Sequence, residues 1–303
     1  MLSKMPPVIL VIGSDGQVGW ELMRSLSTLG TVVGTSLYAN AASLRLDLAQ
    51  PQTIATMIDH VRPSLIVNAA AYTAVDKAEQ ESDLATAINA TALAELGHLA
   101  VKMNIPIIHY STDFVFAGTS HAPYQETDLT GPLGVYGQSK LAGENALINS
   151  GASWIILRTS WVYGVRGQNF LLTMRRLFNE RQQVQVVNDQ VGCPTWSRLL
   201  AEATAQIWCQ IQYRKLSFSD IQGIYHISGA GSTSWYGFAQ TIHQHGNYRC
   251  RLAPIASVDY PATAARPAYS VLDNTKIQKT FGIFMPHWQQ SLNQCLADLP
   301  AHN

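Results

Sequence analysis

The 303-residue chain carries 20 basic and 20 acidic side chains, and only 13% of its residues are charged, against about 25% in typical globular proteins. That balance argues against nucleic acid as a partner, since phosphate binding needs a basic excess or stripe and the nearest approach is Arg175, Arg176 and Arg181. Cys193, Cys209, Cys250 and Cys295 are far apart and form no paired motif, which argues against a disulfide framework or a zinc site and fits a reducing cytoplasm.

Residues 1–7 contain no long apolar run and Val8–Ile12 is only strand-length, so neither a signal peptide nor a membrane span is expected. The first few residues are expected to be disordered. From there, short β-branched runs alternate with longer helical patterns, the mark of βαβ units. The predicted fold is α/β, a Rossmann-type doubly wound parallel sheet with a smaller C-terminal substrate-binding lobe. Residues 1–165 are assigned to the dinucleotide-binding domain and 166–303 mainly to the lobe, with about 198–229 returning to the sheet.

The first strand runs into Gly13-Ser-Asp-Gly16-Gln-Val-Gly19 and then into an amphipathic helix predicted over residues 20–29. Glycines allow a tight turn and close backbone approach, and the N–H groups at the helix start hold a pyrophosphate. Three glycines alone also suit an ordinary turn; the flanking strand and helix favour the binding reading. The second strand, over 31–35, ends at Ser36, where NAD enzymes carry an acid for the ribose hydroxyl about 20 residues into the motif. Without that carboxylate a 2′-phosphate is not repelled, and Arg45 is a candidate counter-charge, so NADPH is expected to serve at least as well as NADH. Asp47, with Leu48 beside it, either faces the adenine or caps the helix beginning near Pro51.

A strand starting at Leu65 ends in Ala69, Ala70 and Ala71, small residues that leave room for a cofactor at the carboxyl edge, or for close helix packing. Residues 79–103 read as one long helix, and 105–110 as a strand delivering Ser111, Thr112 and Asp113 to the same edge. The Thr112 hydroxyl suits a substrate carbonyl, although such residues often satisfy local backbone groups. Then comes Tyr136-Gly-Gln-Ser-Lys140. On a helix the two ends share one face, and the ammonium is expected to hold the phenol below its usual value of about 10 while leaving it a proton to donate. After the strand Trp154–Thr159 the alternation breaks, and helices predicted over 170–180, 198–213 and 235–245 are expected to cap a substrate pocket.

Several segments together resemble the dTDP-4-dehydrorhamnose reductases, a family of the extended short-chain dehydrogenase/reductases. They are Gly16-Gln-Val-Gly19-Trp-Glu-Leu22, Asn68-Ala-Ala-Ala-Tyr-Thr-Ala-Val-Asp-Lys-Ala-Glu79, His109-Tyr-Ser-Thr-Asp-Phe-Val-Phe116, Tyr136-Gly-Gln-Ser-Lys-Leu-Ala-Gly-Glu144, Arg158-Thr-Ser-Trp-Val-Tyr-Gly164, Asn188-Asp-Gln-Val-Gly-Cys-Pro-Thr195 and Arg266-Pro267. The likeness runs in matching order from about Val8 to the C-terminus.

The resemblance implies NAD(P)H-dependent reduction of the 4-keto group of a nucleotide sugar, dTDP-4-dehydro-L-rhamnose, with Thr112, Tyr136 and Lys140 as the catalytic trio. It further implies cofactor contacts at Gly13, Gly16, Gln17, Val18, Gly19 and Ala69 to Ala71, and sugar-nucleotide contacts at Asp113, Trp161 and Arg266. For Arg266 a structural salt bridge is the competing reading. Some members dimerise through a carboxylate-held metal, one ligand lying where Glu21 falls; Arg198 stands where later ligands are wanted, so no metal and a monomer or weak homodimer are expected. A 4,6-dehydratase would follow Thr112-Asp113 with a glutamate, and this chain has Phe114 there. A reductase of another 4-keto-6-deoxy or branched sugar, or a non-catalytic NADP-binding subunit, remains as an alternative.

Overall fold

Seven parallel strands form the central sheet of the computed structural model, which describes residues 6–38, 43–214 and 216–299. The start of the chain, expected to be disordered, lies outside these residues. In chain order the strands are β1 (Val8–Ile12), β2 (Thr31–Ser36), β3 (Leu44–Arg45), β4 (Leu65–Asn68), β5 (Ile107–Thr112), β6 (Trp154–Thr159), β7 (Val162–Tyr163), β8 (Gln183–Val187), β9 (Val191–Gly192), β10 (Thr195–Trp196), β11 (Gly223–His226), β12 (Thr233–Ser234) and β13 (Arg251–Ile255). The helices are α1 (Gln17–Ser25), α2 (Pro51–Val61), α3 (Val75–Ala78), α4 (Ser82–Thr86), α5 (Ala92–Met103), α6 (Val135–Ile148), α7 (Phe170–Glu180), α8 (Ser197–Arg214), α9 (Phe218–Ile221), α10 (Trp235–His245), α11 (Thr275–Phe281) and α12 (Trp288–Ala297).

The sheet order is β11-β6-β5-β4-β1-β2-β3, so the strand sequence reverses direction between β1 and β4. That reversal opens a crevice at the carboxyl ends of the strands, where Rossmann folds bind dinucleotides. β4, β5 and β6 are buried along their whole length, as expected of parallel strands covered on both faces. On one face Leu22 of α1 and Leu200, Ile207 and Trp208 of α8 pack against Ile9, Val11 and Leu65. On the other, Ile54, Leu93, Leu96 and Leu147 cover Leu10, Ile12 and Ile66. The lobe has its own core, with Tyr163, Phe178, Phe238 and Trp288 at its centre. The chain leaves the sheet after β6, builds much of the lobe, and returns to add β11 in register with β6, Ile224 opposite Ile156.

Two helices differ from their predicted extents. The one expected over 20–29 runs Gln17–Ser25, because the Ser27 hydroxyl donates to the Arg24 carbonyl at 2.7 Å and the chain turns there. The stretch from 79 to 103 is broken: α3 ends first, and a 22-residue run, Ser82–Met103, contains a π turn at Ala87–Thr91. Asn89 explains the bulge, since its carboxamide accepts from Tyr72 N–H at 2.8 Å and donates to the Tyr72 carbonyl at 3.1 Å. By length and composition the run could cross a membrane; here its Leu93, Leu96 and Ala100 fill the core.

Candidate active site

Around the turn from β1 into α1 the backbone leaves no room for a side chain at Gly13 or Gly19. Gly13 has φ +84°, and a Cβ there would lie 2.8 Å from Ala70 N; a Cβ at Gly19 would lie 1.9 Å from the Gly13 carbonyl oxygen. Gly19 thus closes the turn from behind and does not line the cleft it shapes. α1 starts from Gly16 with no side-chain cap and no acid in its first turn, leaving its N–H donors for an anion. A cleft of about 670 Å3 begins here, lined by Gly13, Gly16, Gln17 and Val18, and passes Ala69, Ala70 and Ala71 to reach Tyr136 and Lys140. Ser111 and Thr159 also line it, and the hydroxyls of both are buried without a partner in the chain. Glycine cradle, uncapped helix start and orphaned hydroxyls fit a dinucleotide.

Ser36, Asp47 and Leu48 line the same cleft on the far side of the glycine turn. The Ser36 hydroxyl donates to the Tyr38 carbonyl and lies 3.1 Å from Ser43 Oγ. Arg45, the candidate counter-charge, is exposed in β3 beside Ser36 and does not line the cleft. The Asp47 carboxylate accepts from Ala49 N–H and from Gln50 Nε2, both at 3.0 Å, closing the turn ahead of α2, whose own cap position is Gln50.

At the other end, β5 and α6 meet. Gly137 lets α6 approach the turn after β5, since a Cβ there would fall 2.3 Å from the Phe114 carbonyl oxygen. The start of α6 has no local cap; Glu79 Oε1 accepts from Val135 N–H at 2.8 Å instead. Tyr136 is thereby fixed beside Thr112, with the Phe114 ring edge-on at 5.5 Å. Burial pushes the phenol up to about 12; the Thr112 hydroxyl pulls it down and Asp113 pushes it further up. This corrects the expectation that Lys140 lowers it. Lys140 turns away, donating to the Tyr110 carbonyl at 2.7 Å and meeting His109 Nε2 at 3.1 Å, and burial lowers it to about 8.

Asp113 is 1% exposed, and burial raises its carboxyl to about 7. Its Oδ1 accepts from the Thr112 hydroxyl at 3.1 Å, while Oδ2 has no partner in the chain. Trp161 adopts φ +46°, a strained conformation for an indole residue, and stacks on Trp235 at 3.5 Å with 4° between the rings. Neither Thr112, Asp113 nor Trp161 lines the dinucleotide cleft itself. Arg266 is held by Asp76 at 2.6 Å and by the Ala264 carbonyl at 3.1 Å, so its guanidinium is engaged in a salt bridge rather than left open for a diphosphate. Sequence reading missed Thr159, His109 and Trp235. The carboxyl-edge rule that located Thr112 also applies to Thr159, which lies opposite it in β6.

Arg198 bridges Glu21, at 3.5 Å, and Asp298 within one chain. Within the chain, Arg198 thus takes up the Glu21 carboxylate that falls at a metal-ligand position of some family members. Among the described residues no group of three or more His, Cys, Asp or Glu side chains is placed to hold a metal.

The comparisons agree with this geometry over nearly the whole chain. A family model described as the RmlD substrate binding domain matches residues 7–300. A dTDP-4-dehydrorhamnose reductase of Burkholderia thailandensis is 42% identical over 301 residues, covering 96% of this chain and 98% of the relative. One of Escherichia coli is 40% identical over 297 residues, covering 96% and 97%. The crystal structure of a dTDP-4-dehydrorhamnose reductase from Bacillus anthracis in complex with NADP superposes with a TM-score of 0.86 at 32% identity, covering 97% of this chain and 100% of that one. With the glycine turn, the Thr112–Tyr136 pair and full-length similarity in agreement, this chain belongs to the dTDP-4-dehydrorhamnose reductase family.

Proposed function

We propose that this chain reduces the 4-keto group of dTDP-4-dehydro-L-rhamnose to give dTDP-L-rhamnose, using NADPH or NADH. The observation that supports the reading is a cleft that runs past the Gly13 turn and the uncapped α1 to Tyr136, which has Thr112 beside it. Gly13, Gly16, Gln17 and Val18 hold the pyrophosphate, Ser36, Asp47 and Leu48 the adenosine, and Ala69 to Ala71 with Lys140 the nicotinamide ribose. Bound there, the cofactor supplies the hydride. The Thr112 hydroxyl orients the substrate carbonyl, and Tyr136 gives its proton to the oxygen as charge develops. A phenol at about 12 keeps its proton throughout the physiological range. It still yields it to an alkoxide, which is about as basic as hydroxide and a far stronger base than the phenolate. Asp113, with one buried oxygen unpartnered, and Trp161 are the sugar-nucleotide contacts.

In this reading the protein works in the cytoplasm, residues 1–165 serve mainly the cofactor and 166–303 mainly the sugar, while the Arg198–Glu21 pair supports a monomer or weak homodimer assembled without metal. The test is Tyr136→Phe with enzymatically prepared keto-sugar nucleotide. NAD(P)H consumption should fall by ~10²–10⁴ with cofactor affinity nearly unchanged. Turnover within about tenfold of wild type would refute the assignment, and chromatographic identification of the product fixes the sugar.

A further inference from the structure

Lys140 is 2% exposed, yet no carboxylate is free to pair with it. Glu144, one turn along α6, has both oxygens taken by Arg158 of β6, at 2.9 and 2.6 Å. Asp113, in the turn after β5, accepts from Thr112, and Tyr136 presents an uncharged phenol. What Nζ meets is neutral: the Tyr110 carbonyl and His109 Nε2. The chain of contacts continues across the sheet. His109 Nδ1 lies 3.1 Å from Nδ2 of Asn68, its register partner on β4, and Asn68 Oδ1 accepts from Ala70 N–H at 3.2 Å.

Donor and acceptor roles along this chain follow from its Ala70 end. An N–H needs an acceptor, so Asn68 turns its oxygen to Ala70 and its NH₂ to His109. That NH₂ donates to Nδ1, which then carries no proton. A neutral imidazole has one proton, so it resides on Nε2 and points at Lys140. Facing an ammonium, which offers only donors, that proton is repelled; facing an amine lone pair, it makes a hydrogen bond. Burial holds His109 well below its usual range, with the neighbouring Lys140 charge acting in the same direction and the Asn68 carbonyl in the other, and burial lowers Lys140 as well, against the upward pull of Glu144.

We propose that Asn68 and His109 are positioning residues that weaken the hold of Lys140 on its proton in the cofactor-free protein, and that charging Lys140 requires the Asn68 amide to turn over. In the turned arrangement Asn68 Oδ1 accepts from His109 Nδ1–H, Nε2 accepts from the ammonium, and the Ala70 N–H is released. One proton is taken up from solvent at Nζ, and the imidazole proton moves from Nε2 to Nδ1. Ala70 lines the cofactor cleft, so a ligand acceptor that takes its N–H favours the turned form. The charge on Lys140 is thereby linked to occupancy of the cleft. This inference concerns the free protein and stands or falls separately from the choice of sugar substrate.

The test is a pH titration of the full cofactor-free chain carrying ¹³Cε-labelled lysine, with the Lys140 signal identified by its loss in Lys140→Met. Asn68→Asp keeps an oxygen for Ala70 but replaces the NH₂ by an acceptor, so it imposes the imidazole tautomer of the turned arrangement without releasing the Ala70 N–H. The Lys140 midpoint should rise by about one pH unit or more, a roughly tenfold gain in proton affinity. In the double variant with His109→Phe that rise should disappear, because the relay is cut. His109→Leu serves if thermal melting shows that the phenyl ring is not accommodated.

A rise that persists in the double variant would mean that the new carboxylate acts through space, and an unmoved midpoint in Asn68→Asp would mean that no relay exists; either result overturns the proposal. Calorimetry of NADPH binding at pH 8, in buffers of different ionisation enthalpy, gives an independent reading. Wild type should take up a fraction of a proton and Asn68→Asp much less. Equal uptake in the two proteins counts against the relay.

Discussion

Asp113→Asn should stabilise the protein at pH 8 relative to pH 5 by about 2–3 kcal/mol, measured against wild type at each pH. The carboxyl is buried, and its affinity for a proton rises about a thousandfold on folding, from an ordinary value of 3.8 to about 7, each tenfold being worth about 1.4 kcal/mol. The folded state holds this proton more tightly than the unfolded one. The contribution to stability is therefore fully present below the unfolded value and is lost as pH rises through about 7. Asparagine cannot ionise, and it keeps Oδ1 for the Thr112 hydroxyl. The second side-chain atom has no partner in the chain as oxygen, and nitrogen inherits that position at every pH, so its cost cancels from the pH dependence. Urea unfolding of both proteins at pH 5, 6, 7 and 8, with equal m values, reads the difference directly. A difference that is flat across this range, or that moves against the variant as pH rises, would show that Asp113 is ionised in the folded protein and that the site is wetter than its burial implies.

Gly19→Ala should weaken cofactor binding more than tenfold and cost about 1–3 kcal/mol, because the new Cβ falls 1.9 Å from the Gly13 carbonyl and the turn has to open; cofactor fluorescence titration and melting check both, and binding within twofold of wild type contradicts it. Ser36→Asp should move kcat/KM from NADPH towards NADH, since a carboxylate accepts ribose hydroxyls and repels a 2′-phosphate; no change in the ratio would place the discrimination elsewhere. Light scattering across a concentration series should give a mass indifferent to EDTA and magnesium, because the Arg198 guanidinium already occupies Glu21 and Asp298; a dimer that dissociates on chelation would refute this.

The dinucleotide half of the site was legible because its signals are local. A strand, three glycines and a helix follow one another in seventeen or so residues, and backbone crowding at Gly13 and Gly19 makes those glycines obligatory. What escaped was set by partners distant in sequence. The side-chain face shared by Tyr136 and Lys140 suggested a charge beside a phenol, but the direction of Nζ is decided by His109 and Tyr110, thirty-odd residues away. For Arg266 the sequence leaves anion ligand and salt bridge both open, and the Asp76 that pairs with it is 190 residues away. The π turn at Ala87–Thr91 is likewise dictated by Asn89 reaching back to Tyr72, and no periodicity announces it.

The pairing of β11 with β6 also sets an order of events during synthesis. Until Gly223–His226 is made, Trp154–Thr159 is the bare margin of a parallel sheet, and Ile155, Ile156 and Leu157, fully buried in the finished protein, lie along it. A bare apolar margin is a template for another chain, and contacts between distant residues form slowly. A nascent chain halted anywhere between residues 160 and 222 therefore exposes its stickiest strand with no native partner available. Separate production of the two halves meets the same obstacle, because β6 and its partner β11 would then lie on different chains.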